Sequence, residues 1–152
     1  MKLREDLEQY LQRSLANIND VGRGTIGAMM QLEVIGCDTE AGTVRMRGKT
    51  EDWMKNFKGA LHGGIGATLV DQAMGCVAYA IKPGKGGFTT TINMQLNYHH
   101  PLFPGEDNEI LVRPISVTKS LISLSAEVYR ASAPEKVCIS ATATFYYVPP
   151  QA

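Results

Sequence analysis

The sequence predicts an α+β fold: an antiparallel sheet of about six strands wrapped around one long buried helix, plus an N-terminal helix. Three observations predict it. Residues 62–81, HGGIGATLVDQAMGCVAYAI, are apolar on nearly every face, as a buried helix is. Four strand-like stretches follow, near 88–98, 108–118, 121–131 and 136–148. Only one long helix follows the first strand, so a doubly wound alternation of helix, sheet and helix does not fit.

Each element has its own signal. In the N-terminal segment 1–20, Leu3, Leu7, Tyr10, Leu11, Leu15 and Ile18 recur at three- and four-residue spacing. That predicts an amphipathic helix over 2–18, stopped by Asn19-Asp20 and Gly22. Residues 25–36, TIGAMMQLEVIG, read as a strand with partial alternation. Ala41-Gly42 reads as a turn, and residues 43–50 alternate Val44 and Met46 against Arg45 and Arg47, so the two segments form a hairpin. Residues 51–61 are irregular and carry the only tryptophan, Trp53. The loop 82–87, KPGKGG, closes the long helix, and HPLFPGED, KS and SAPE break the later strands. The later strands are rich in Val, Ile, Ser, Thr and Tyr.

Composition narrows the function classes. A length of 152 residues suits one domain, 1–152, with a core over 25–148. Such a domain buries roughly 70% of its unfolded surface without disulfides. Fifteen basic residues balance fifteen acidic ones, and 44% of residues are hydrophobic, which excludes a disordered chain. The neutral balance offers no basic stripe for nucleic acid. Cys37, Cys76 and Cys138 lie far apart with no C-x-x-C, so neither a zinc site nor a thioredoxin-like motif is suggested. A reduced, cytoplasmic protein is the simplest expectation. The first twenty residues are too charged for a signal peptide, and Asp71, His62 and interior glycines argue against a membrane span over 59–81.

The informative segment is NFKGALHGGIGATLVDQAMG, residues 56–75. Between Lys58 and Lys82 the only formally charged residue is Asp71, in the middle of a helix that should be buried. A buried carboxylate is paired, hydrogen-bonded or functional. The plainer alternative is an Asp bonded to nearby backbone or facing a polar subunit interface. His62-Gly63-Gly64 stands at the helix start, where free N–H groups and the positive end of the dipole lie. Glycines there admit a ligand oxygen close to the backbone, as an oxyanion site requires. On the glycines alone a tight turn is the simpler reading, and His62 alone reads as a packing or hinge histidine. Gly63 and Asp71 are eight residues apart, about 12 Å along a helix. Both cannot meet one carbonyl within one chain, so joint action predicts a two-fold dimer with antiparallel helices and shared sites.

The pattern N-x-x-G-x-x-H-G-G followed by A-T-L-V-D-x-A-x-G resembles the hotdog-fold acyl-CoA thioesterases of the phenylacetyl-CoA thioesterase-like (PaaI-like) branch. The similarity extends through TTTINMQLNYHHPLFPGE (89–106) to the last strand, ATATFYYV (141–148). It implies a hotdog fold and a thioester hydrolase acting on acyl-CoA, working as a homodimer with shared sites or a homotetramer built from it. It also implies roles. Asn56 orients the substrate or the attacking water. The Gly63 N–H polarises the thioester carbonyl, and His62 and Gly64 beside it contact the substrate. Asp71 of the partner subunit is nucleophile or general base. Thr91 stands where relatives place a Ser or Thr that positions the water. By pleat alternation Thr89 shares its face and Thr90 does not. In the turn 117–121, Lys119 and Ser120 stand where relatives contact coenzyme A; a solvated hairpin tip is the competing reading.

The chemistry needs no metal and no organic cofactor, because a thiolate leaves readily. His99 and His100 are adjacent, so on a strand they point to opposite faces and cannot chelate together. The loop around Lys85 lacks a phosphate-loop pattern, although Lys82 or Lys85 could touch a coenzyme A phosphate. Two alternatives stand beside the thioesterase. One is a non-catalytic hotdog protein that binds acyl-CoA or an acyl carrier. The other is an enoyl or hydroxyacyl hydratase-dehydratase, which typically pairs Asp with a His five residues on, where this chain has Cys76.

Overall fold

In the computed structural model, which describes residues 1–82 and 87–150, six antiparallel strands pack on one long helix. The strands are β1 (Glu33–Asp38), β2 (Thr43–Gly48), β3 (Phe88–Tyr98), β4 (Asn108–Val117), β5 (Leu121–Arg130) and β6 (Ala133–Val148). Their order in the sheet is β1-β2-β4-β5-β6-β3. The helices are α1 (Leu7–Val21), α2 (Ile26–Met29) and the central α3 (Gly63–Ile81). This is the predicted hotdog architecture.

The core forms where α3 lies against the sheet. Leu69, Val70, Met74 and Val77 of α3 are fully buried, as are Val112, Leu124 and Val128 of the strands they face. By length and composition α3 could cross a membrane, but half of its most apolar window is buried inside the protein. The predicted β1–β2 hairpin is present, closed at Gly42. Gly42 has φ +70°, and a Cβ there would lie 2.2 Å from the Met1 carbonyl oxygen. A side chain is therefore excluded on two counts.

Two predicted elements differ. Residues 25–36 are not one strand: α2 occupies the first part and β1 begins at Glu33. The Thr25 hydroxyl caps α2 by accepting from the Ala28 N–H at 3.3 Å, and Gln31, at φ +43°, turns the chain into the strand. A short apolar run satisfies a helical turn as well as a strand, so spacing could not separate them. The N-terminal helix begins at Leu7 rather than residue 2 and ends at Val21. Leu3 is buried all the same, because its N–H donates to the Thr39 carbonyl at 2.9 Å and pins the first residues beside the β1–β2 turn.

Strand β3 is one edge of the sheet, paired with β6 on one side only. It is eleven residues long, carries no charge, and bulges between Thr91 and Asn93. Its Thr89 and Thr91 face α3, and this places the candidate site.

Candidate active site

Most of the residues singled out in the sequence fall into two groups, one at the start of α3 and one at its middle. At its start, His62 is the N-cap, and its Nδ1 accepts from the Gly64 N–H at 3.0 Å. As an acceptor Nδ1 carries no proton, so Nε2 carries it. The Gly64 donor is thereby taken. The Gly63 N–H has no hydrogen-bond partner among the described residues, so one donor remains free at the positive end of the helix. The Gly63 carbonyl accepts from the Tyr98 hydroxyl at 2.8 Å.

Asn56 sits across from this donor. Its Oδ1 accepts from the N–H groups of Lys58, at 2.9 Å, and Ala60, at 3.3 Å, which builds the turn that carries it. Asn56, His62, Gly63 and Tyr98 line one cavity of about 340 Å³. His99 and His100 line it too. They lie past the end of β3, where the pleat no longer sends neighbours to opposite faces, and the His99 Nε2 lies 2.8 Å from the Ser140 hydroxyl. Among the described residues no group of His, Cys, Asp or Glu is arranged to hold a metal.

The second group lies two turns along α3. Asp71 is half-buried, and its Oδ1 accepts from the Thr91 hydroxyl at 2.7 Å. Thr89, on the same face of β3, donates to the Gly75 carbonyl at 3.4 Å. Asp71, Thr91, Gln72 and Cys76 line a cavity of about 400 Å³ that contains neither Gly63 nor Asn56. Burial pushes the Cys76 thiol up to about 11, with the Gln72 amide, 3.4 Å away, opposing the shift.

Lys119 and Ser120 lie in neither cavity. They form the β4–β5 turn, where the Lys82 ammonium donates to the Lys119 carbonyl at 2.7 Å and the Tyr147 N–H donates to the Ser120 carbonyl. Lys85 lies outside the described residues. Arg113 is engaged with Glu127 at 2.9 Å, and the Lys58 ammonium lies over the Phe57 ring.

Sequence reasoning assigned no role to Tyr98, Gln72 or Ser14, all of which line one cavity or the other. Tyr98 carries a signal in hindsight: it is the last residue of β3, at the point where the strand meets the glycine-rich helix start. Ser14 carries none, because nothing in a helical period says what an exposed face will meet.

Residues 58–137 match the model of the thioesterase superfamily. No curated protein sequence matches this chain significantly. Solved structures are similar to it. A thioesterase from Haemophilus influenzae superposes with TM-score 0.75 at 14% identity, over 91% of this chain and 92% of that one. A phenylacetic acid degradation-related protein from Ralstonia eutropha superposes with TM-score 0.72 at 18% identity, over 87% and 98%. A Streptococcus mutans protein bound to acetyl-CoA superposes with TM-score 0.66 at 21% identity, over 80% and 91%. With more than half of its length matching the family model, on the hotdog fold these neighbours share, the chain belongs to the thioesterase superfamily and is a thioester hydrolase.

Proposed function

We propose that the protein hydrolyses acyl-CoA to a carboxylate and free coenzyme A in sites shared between two copies of the chain. The observation that carries this reading is the separation of the two half-sites. The carboxylate of Asp71 and the free N–H of Gly63 line different cavities of one chain. An antiparallel pairing of two α3 helices would set Asp71 of one copy against Gly63 of the other. The uncharged, eleven-residue edge of β3 supports such a pairing, because a bare edge of that length invites a partner. Coenzyme A as the thiol is supported by the neighbour that binds acetyl-CoA.

The chemistry then runs as follows. Thr91 holds Oδ1 of Asp71, which leaves Oδ2 to face a water molecule. Asp71 takes a proton from that water as its oxygen adds to the thioester carbonyl carbon. The Gly63 N–H of the partner subunit stabilises the oxyanion. The C–S bond breaks, the thiolate leaves with the electron pair, and the proton on Asp71 ends on the product thiol. Direct attack by the carboxylate, followed by hydrolysis of the anhydride, uses the same atoms. Asn56 orients the carbonyl or the water at the same end as Gly63. Lys119 and Ser120 take the coenzyme A nucleotide or pantetheine at the outer turn, where Lys82 adds a second cation. No metal or organic cofactor enters the reaction.

The test is complementation between two inactive variants. Asp71→Asn removes the carboxylate. Gly63→Pro removes the N–H at the first helical position, where proline is favoured, and His62 already has the extended conformation that proline requires before it. Each homodimer should be inactive. Random mixed dimers carry one intact site each, so a dissociated and reassociated mixture should regain about a quarter of wild-type turnover. A mixture of folded dimers that stays inactive after exchange would overturn the shared site.

A further inference from the structure

The cavity of Asp71 has a wall that does not belong to the sheet or to α3. Ser14 and Ile18, one turn apart on α1, line it. The direction of α1 is fixed at both ends. The Tyr10 ring lies 6.2 Å from the Tyr79 ring, and a Cβ at Gly27, just after α1, would lie 3.1 Å from the Gln72 side chain. So α1 and the turn after it run antiparallel to α3 beside its stretch from Gln72 to Tyr79. Leu7, Leu11 and Leu15 are buried beneath, which makes this a fixed wall rather than a lid.

From these contacts we infer that Ser14 and Ile18 wall the acyl pocket, that Tyr79 closes its far end, and that together they set the chain length it takes. This rests on the reading that Asp71 is the reacting carboxylate. Thr91 and then Thr89 on β3 pass Asp71 and then Gly75 of α3, so the cavity extends away from the carboxylate along the helix. Asp71 to Tyr79 is eight residues, about 12 Å. A zigzag chain of ~1.5 Å carbon–carbon bonds advances about 1.25 Å per carbon, so the slot takes about eight to ten carbons. Its walls suit hydrocarbon. Ile18, Cys76 and Phe145 line it with apolar surface, and two of its polar side chains are already engaged, the Thr89 hydroxyl with the Gly75 carbonyl and the Gln72 amide with the Cys76 thiol. The substrate class is a medium-chain acyl thioester.

The experiment compares kcat/KM for butyryl-, hexanoyl-, octanoyl-, lauroyl- and palmitoyl-CoA in wild type, Ile18→Ala and Ser14→Phe. Wild type should fall off between octanoyl and lauroyl. The lauroyl-to-hexanoyl ratio should rise about tenfold in Ile18→Ala and fall about tenfold in Ser14→Phe. General loosening of α1 would lower all substrates alike and could not move the ratio in opposite directions. Ratios within about twofold of wild type in folded variants, beside a wild type that hydrolyses acyl-CoA, would overturn the wall and leave the shared site standing. If Ser14→Phe does not fold, the ratio in Ile18→Ala decides alone. A wild type inactive on every acyl-CoA would overturn both readings, and so would full turnover in Asp71→Asn, because the shared site and the pocket are both built on that carboxylate.

Discussion

The Thr91 hydroxyl donates to the Asp71 carboxylate across 2.7 Å, tying the edge strand to the middle of the central helix. A hydrogen bond to a charged acceptor contributes about 1.5–3 kcal/mol, and here it also fixes which carboxylate oxygen is free. Thr91→Ala should therefore leave the fold intact and lower kcat about 10- to 100-fold, with Thr91→Ser restoring most of it. Steady-state kinetics on the three proteins check this. Equal losses in the Ala and Ser variants would point to packing by the Thr91 methyl instead.

Asp71→Asn should be far more severe. The amide keeps the volume and can still meet the Thr91 hydroxyl, so circular dichroism should be unchanged. Turnover should fall by about 10²–10⁴ or more, the range that a positioned general base supplies. Thiol release measured beside wild type decides it.

Asn56→Ala should be milder in rate but measurable in stability. The Asn56 carboxamide holds the Lys58 and Ala60 N–H groups, so its loss loosens the turn that leads into α3. Two neutral hydrogen bonds of this kind put the cost at about 1–2 kcal/mol. A urea titration should show the lower midpoint, and kcat should fall less than in Asp71→Asn.

Most of this architecture was legible from periodicity. The bounds of β3 were predicted at 88–98 and observed at Phe88–Tyr98, because Pro, Gly and charged residues punctuate both sides. The pleat placed Thr89 and Thr91 on one face and Thr90 on the other, and the Thr89 and Thr91 hydroxyls both meet α3. The eight-residue spacing of Gly63 and Asp71 keeps them in different cavities of one chain, since helical rise is invariant. Three things escaped. The helical turn α2 depends on one cap by Thr25, a local contact that competes evenly with a strand reading. The shared cavity of His99 and His100 depends on where the strand stops. The wall formed by Ser14 and Ile18 depends on the docking of α1, which sequence spacing does not encode.

The thiols give a fourth prediction. Cys76 and Cys138 are buried and Cys37 is half-buried. At pH 8 a thiol pushed up to about 11, as Cys76 is, holds about one part in a thousand as the reactive thiolate. Burial, with Glu8 and Asp38 nearby, raises Cys37 as well. A disulfide reagent should therefore label at most Cys37 in the native protein, slowly, and all three cysteines in denaturant. Rapid labelling of Cys76 in native protein would show that the Asp71 cavity opens further than the structure shows.

The last prediction concerns acid. The Tyr129 hydroxyl, at 2.8 Å, and then the Arg113 guanidinium, at 2.9 Å, hold the Glu127 carboxyl below its ordinary range. A carboxylate whose native value is depressed stabilises the fold fully above its unfolded value, about 4.3, and loses that contribution as pH falls through the lower native value. The side chain is 34% exposed, so solvent screening keeps its share at neutral pH below about 1 kcal/mol. Glu127→Gln should be slightly less stable than wild type at pH 7. The two should converge as pH drops below about 4, because wild-type Glu127 then becomes a neutral acid too. Urea midpoints measured at pH 7 and pH 3 test this. A gap that stays constant across that range would mean the Tyr129–Glu127–Arg113 contact acts through packing and not through charge.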